Sequence, residues 1–365
     1  MSLLPTTSAL AAAEVPPKQA KSSAADTAVK EPLGDWVTVQ ATRLPQNPII
    51  TPKMFSNTKD GSNINGPTLV RVPAWVKNPL GKYYLYFAHH GGTYIRMAYA
   101  DCVAGPYKLH AGGVLALDHL SVTLDHIASP EILVDEQAQR LILYYHGPVR
   151  QAEPAKNPSQ WGGQLTFAAT SADGLTFTPH PEVISSSYLR VFPYAGRFYG
   201  ISKNGNVGIS FSRSDDPLAC FEKGSRIFPN GRHVALLHKG NTLWVFLSRG
   251  GDCPEQILMT RFDITGDWTT WAASAPSPVA VIKPEQPWEG TQYPLKPSDW
   301  GAGDKVQELR DPFVFEENGK LYLFYTVAGE MGIAIAELDF SPTDKGPHTG
   351  CFFRPPPEAG QETGS

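Results

Sequence analysis

The sequence lacks a long hydrophobic run. No stretch approaches the about 20 uninterrupted apolar residues of a membrane-spanning helix, so no membrane partner is expected. It also lacks an excess of positive charge. Thirty-one Lys and Arg stand against 35 Asp and Glu, a formal net charge of −4, which argues against a nucleic-acid partner. Cysteine is scarce. None of Cys102, Cys220, Cys253 and Cys351 pairs in CxxC spacing, so neither a zinc ribbon nor a thioredoxin-like redox site is expected. Four cysteines allow two disulfides in any of three pairings, or four free thiols. HxH and HExxH are absent, so no spacing supports a metal site.

What is present points to a large β-rich core. The chain has 365 residues, 41% hydrophobic and 11% aromatic, which excludes a wholly disordered polypeptide. Gly and Pro, 33 of each, interrupt long helices and punctuate turns. Residues 1–35 are rich in Ala, Ser, Thr, Pro and Lys and poor in aromatics, and read as a flexible tail. ALAAAE within them has the small residues of a cleavage site, without a basic n-region or long apolar run before it. On that segment the expected location is secreted or periplasmic, with the cytoplasm as the alternative. Residues 355–365 read as a second tail, leaving 36–354 as one domain.

That domain carries a degenerate repeat. Five segments read as β-hairpins: 66–92, 129–148, 188–205, 232–251 and 310–330. After each comes a short apolar strand and an Asp near a turn: Asp101, Asp173, Asp215, Asp263 and Asp339. The turn aspartates read as structural. Hairpin plus second unit makes four antiparallel strands, one propeller blade, so the expected fold is all-β, a five-bladed β-propeller. The strand at 36–41, WVTVQA, is expected to supply the outer strand of the last blade and close the ring.

In such a ring the polar ends of the innermost strands converge at one mouth of the channel. Those ends carry Ser129-Pro130-Glu131, Arg190, Arg232-His233 and Arg310-Asp311-Pro312, and the facing ends carry His89-His90, His146 and Ser202-Lys203. Charged groups there need partners or a ligand. Asp125 and His126 sit on a loop that reaches the mouth. Trp161, Trp288 and Trp300 lie in inserted segments, as sugar-stacking platforms or as loop anchors.

RDPFVFEENGKLYLFYT and SPEILVDEQAQRLILYYHG resemble hairpins of the five-bladed propeller glycoside hydrolases, the arabinanase and β-xylosidase family with its invertase and levansucrase relatives. The resemblance covers roughly residues 60–340 and is one of architecture with short motifs. It implies hydrolysis of glycosidic bonds in an oligo- or polysaccharide by paired carboxylates. Glu131 matches the second-blade carboxylate. Asp311 matches an Asp-Pro, but in the last blade, and Arg310-Asp311 resembles the Arg-Asp-Pro that grips sugar hydroxyls in the invertase type. The first blade departs, with Gly66-Pro67 where the family has Asp-Pro. The catalytic set expected is Asp311, Glu131, His126 and Asp125, and the substrate-binding set Arg310, His90, His146, His233, Arg232 and Trp288. Two alternatives stand beside this: a non-catalytic carbohydrate-binding propeller, given Gly66, and a metal-assisted lyase or hydrolase with a divalent metal held by the channel histidines. No other cofactor is expected.

Overall fold

The structure, a computed structural model, describes residues 37–342 apart from 122, 124, 150–163, 206–207, 300 and 302–303. Both expected tails, Trp161, Trp300 and Cys351 lie outside the described residues. Five antiparallel sheets form the five blades of a β-propeller. Their innermost strands are Asn65–Arg71, Ala128–Asp135, Arg190–Tyr194, Gly231–Lys239 and Leu309–Glu317, in blades 1 to 5. The second strands are Tyr83–Ala88, Arg140–Gly147, Arg197–Lys203, Thr242–Arg249 and Lys320–Val327. These pairs are the five hairpins expected from the repeat. Among the described residues no helix is long and apolar enough to cross a membrane.

The strands read as continuous apolar runs because blades are buried on both faces. Side chains alternate along a strand, so each strand feeds two cores. Tyr84 and Tyr86 face blade 2, whereas Tyr83, Leu85 and Phe87 face blade 5. Leu141, Leu143 and Tyr145 face blade 1, and Ile142 and Tyr144 face blade 3. One hydrophobic cluster fills each of the five interfaces between adjacent blades.

Closure follows the expected route. Val37–Arg43 pairs antiparallel with Ile333–Pro342, from Val37 opposite Pro342 to Arg43 opposite Ala336, and is the outer strand of blade 5. Arg43 at its end locks the seam. Its Nε and Nη2 donate to the two oxygens of buried Glu289 at 2.8 and 2.9 Å. Glu289 also accepts from the Tyr325 hydroxyl at 3.0 Å and from the backbone N–H groups of Glu285 and Gln286.

The turn aspartates do structural work where contacts define them. Asp173 Oδ1 accepts from the N–H groups of Leu175 and Thr176, and Asp263 Oδ1 from that of Thr265. In blade 3 the turn acceptor is Asp216, not Asp215, which pairs with Arg197 instead. Cys102, Cys220 and Cys253 are exposed, and none of them forms a disulfide.

Candidate functional site

The innermost strands share one local irregularity. In blades 1, 2, 4 and 5 the register with the second strand slips by one residue at the start, between Asn65 and Thr68, Ala128 and Glu131, Gly231 and Val234, and Arg310 and Phe313. Blade 3 repeats it: Lys203 N–H bonds Ser187 O, and Arg190 is already opposite Ile201. Each slip is a β-bulge that frees one residue from the ladder and re-aims it. In three blades the freed residue precedes a proline, which has no N–H to give the ladder.

The bulge makes positions equivalent across blades. Gly66, Ser129, Tyr188, Arg232 and Asp311 stand at one level. Four of them have left-handed backbone, at φ 61°, 48°, 57° and 46° for Gly66, Ser129, Tyr188 and Asp311. For the three non-glycine residues that conformation costs of order 1–3 kcal/mol each. Thr68, Glu131, Arg190, Val234 and Phe313 form the next level. Glu131 and Asp311 are therefore not equivalent.

Glu131 is a fastener between blades. Its Oε2 accepts from Arg190 Nη1 at 2.7 Å and from Thr68 Oγ1 at 3.1 Å. Arg190 continues to the carbonyls of Pro130 and Val234, so blades 1 to 4 are tied at one level. Burial raises the Glu131 carboxyl pKa, and Arg190 offsets only part of that.

Asp311 lies in a different cluster. Its Oδ2 accepts from the Gly66 N–H at 3.3 Å and the Thr326 hydroxyl at 3.1 Å. His233 Nδ1 sits 2.9 Å from Oδ1, close enough for charge attraction though not aligned as a hydrogen bond. Burial alone would raise the Asp311 carboxyl, but His233 against it holds it below the usual carboxylate range. Burial lowers the His233 imidazole, and Asp311 pulls it back only in part. At neutral pH the pair is an ionised carboxylate beside a neutral imidazole.

From His233 an aromatic stack crosses the channel wall. Tyr188 lies 4.6 Å from the His233 ring and 4.4 Å from the His146 ring. Lys203 Nζ sits 5.1 Å above the Tyr188 ring. Burial, with Arg232 nearby, pushes the Lys203 amine down to about 8. Burial drives His146 well below the ordinary imidazole range, and His126, Lys203, His90 and His233 act in the same direction. That mutual influence gathers these side chains in one mouth. Asp125, at φ 68°, turns its carboxylate to solvent and pairs with His126 at 3.1 Å.

A second polar layer backs the first. Glu330 Oε2 accepts from the amides of Asn63 and Asn65 at 2.7 and 2.9 Å, and lies 3.4 Å from His90 Nδ1. Its Oε1 accepts from Arg310 Nη1 at 3.1 Å. Burial would raise Glu330, but His90, Arg310 and Asn63 hold it well below its usual range. Arg310 also meets Glu255 and Glu308, and Arg232 meets Glu255 at 3.0 Å. Both arginines donate to the Gly301 carbonyl. Arg232 and Arg310 thus face protein carboxylates and carbonyls, and buttress the mouth. Trp288 packs against the core between blades 4 and 5. Among the described residues no group of three or more His, Cys, Asp or Glu is arranged to hold a metal ion.

Sequence reasoning missed Tyr188 and Glu330 as site residues. Tyr188 was hidden because the bulge in blade 3 has Leu189 where three other blades have proline. Glu330 is the last residue of the segment 310–330, after Gly329, and no motif marks it.

No protein-family model matches the chain. The chain is similar in sequence to the uncharacterized protein R118 of Acanthamoeba polyphaga mimivirus, 34% identical over 331 residues, spanning 81% of this chain and 89% of that protein. In architecture it is similar to a glycosyl hydrolase from Bacteroides ovatus, with TM-score 0.58 at 10% identity over 83% of this chain and 93% of that one. It is also similar to an α-L-arabinofuranosidase from Lactobacillus brevis, with TM-score 0.53 at 13% identity over 83% and 95%. A Cellvibrio cellulosa α-L-arabinanase complexed with arabinohexaose gives TM-score 0.50 at 14% identity over 78% and 94%. The five-bladed propeller of the glycoside hydrolases is thus this chain's fold, in divergent form. The chain belongs to the same family as the mimivirus protein R118.

Proposed function

We propose that this protein hydrolyses a glycosidic bond in an oligo- or polysaccharide at the channel mouth, with Asp311 as the base. The observation that carries the reading is the Asp311 cluster itself. It is an ionised carboxylate on a re-aimed, left-handed residue, at the channel end of an inner strand. Strain of that kind collects at functional sites. The neighbours in architecture include enzymes named for arabinofuranosides and arabinan, which supports a saccharide as substrate.

The reaction asks for a base and a proton donor on opposite sides of the bond. Asp311 is suited to take a proton from water, which attacks the anomeric carbon. Glu330 is unsuited to be the donor, because His90, Arg310 and the two asparagines keep it ionised. Lys203 suits that role: with its amine pushed down to about 8 it is protonated at pH 7 and can release the proton to the departing oxygen. Burial holds His146 and His233 neutral at pH 7, so neither has a proton to give.

One observation favours a second reading, a carbohydrate-binding propeller without turnover. Gly66 occupies the blade 1 bulge, so the position equivalent to Asp311 carries no carboxylate there. Reducing-sugar release and calorimetric binding across a panel of arabinan, xylan, galactan and aryl glycosides separate the two. Asp311→Asn is expected to lower kcat about 100-fold or more while saccharide binding persists. Saccharide binding by the wild type with no turnover on any bound sugar establishes the second reading.

A further inference from the structure

A groove of ≈ 600 Å³ lies beside the mouth, between the segment 52–62 that leads into blade 1 and the loop at 304–305 that precedes blade 5. Its size is that of a small-molecule site. Two of its lining residues are chain neighbours of residues that back the mouth. Met331 lines it and follows Glu330, and Ser62 lines it and precedes Asn63, whose amide donates to Glu330 at 2.7 Å. Ser62 Oγ also lies 3.2 Å from His89 Nε2. Gly61 closes one wall: a Cβ there would come within 2.8 Å of the Pro52 carbonyl oxygen.

The charges in the groove do not cancel internally. Asp304 is offset by Lys296 at 3.9 Å. Lys53 and Lys305 are both exposed and come from opposite sides of the groove, and among the described residues neither pairs with a carboxylate. Lys305 Nζ rests 5.9 Å from the Tyr293 ring. Two uncommitted ammonium groups in a chain of net charge −4 mark a local positive site. Phe55 lines the same groove, half-buried, with the Arg96 guanidinium 5.1 Å from its ring. An aromatic ring with flanking hydroxyls from Thr58 and Ser62 suits a sugar, whose C–H faces pack on rings and whose hydroxyls hydrogen-bond.

We propose that this groove is a subsite for a sugar unit bearing an anionic group, a carboxylate or a sulfate, on a saccharide that extends from the mouth. The proposal rests on the reading of the mouth as a saccharide site and specifies the substrate class.

Calorimetric titration of the full chain with trigalacturonide, a sulfated trisaccharide and neutral arabinotriose tests it. At least one anionic trisaccharide should bind about 10-fold or more tightly than the neutral one, the effect of two charge-assisted contacts, and its advantage should shrink as salt rises. Which of the two binds tells carboxylate from sulfate. Lys53→Ala combined with Lys305→Ala should abolish that preference and leave arabinotriose binding and the melting temperature unchanged. Equal binding of neutral and anionic sugars, or a preference that survives the double substitution, overturns the proposal. Loss of turnover in Asp311→Asn without any anionic preference sinks the groove and leaves the mouth standing. Lysine-dependent anionic binding with no turnover of any sugar does the reverse.

Discussion

Glu131 and Asp311 show how one bulge separates two roles at the scale of single residues. Both flank a proline at the start of an inner strand. Asp311 precedes its proline and is the residue turned out of the ladder. Glu131 follows its proline and is back in register opposite Tyr144. One meets histidine and hydroxyl at the mouth, the other a buried guanidinium between blades. Removing the Glu131 charge leaves Arg190 buried without its carboxylate. Glu131→Gln is therefore expected to lower unfolding free energy by about 3 kcal/mol, read from urea denaturation. A loss under about 1 kcal/mol would show that the carbonyls of Pro130 and Val234 suffice for Arg190.

At the scale of elements, the closing strand matters most. Without Val37–Arg43, the strand Ile333–Pro342 would present an open edge, and the ring would lose the clasp between Arg43 and Glu289. A chain beginning at Gly34 should melt within about 5 °C of the full-length protein, because residues 1–33 have the composition of a segment that cannot build a core. A chain beginning at Leu44 should melt far lower or aggregate. Equal melting of the two would refute the closure. Arg43→Ala should cost about 2 kcal/mol or more in the same denaturation experiment, since Glu289 keeps its buried charge and loses its cation.

Across the whole molecule, five interfacial cores surround a channel in which burial holds His146 and His233 neutral. That imposes a pH dependence. His146 and His233 have folded pKa values below the ordinary value of about 6.5, so the unfolded chain binds more protons at mildly acidic pH. Their contribution is fully present above that value and is lost as pH falls toward the folded values. The melting temperature should therefore drop between about pH 7.5 and 5.5, above the range in which ordinary carboxylates titrate. His146→Phe keeps a ring against Tyr188 and removes the titrating group, so its melting temperature should drop less over the same window. A wild-type melting temperature that stays flat would contradict the assignment.

Much of this was legible from residue order alone. The five hairpins, the propeller and the closing strand follow from apolar runs, turn residues and repeat spacing, which are local properties that recur along the chain. That Asp311 and His233, from blades 5 and 4, would meet at one mouth was legible too, because a repeat places equivalent strand ends together. The different fates of Asp311 and Glu131 were not, since a one-residue slip in register depends on which strand pairs with which. Nor was the locking of Glu330 by Asn63, Asn65 and Arg310, whose side chains lie 20 to 267 positions away along the chain. A carboxylate's charge state is set by the burial and the partners around it. Those come together only when the blades close against one another, so the tertiary structure alone decided which acidic residues fasten blades and which stand ionised at the mouth.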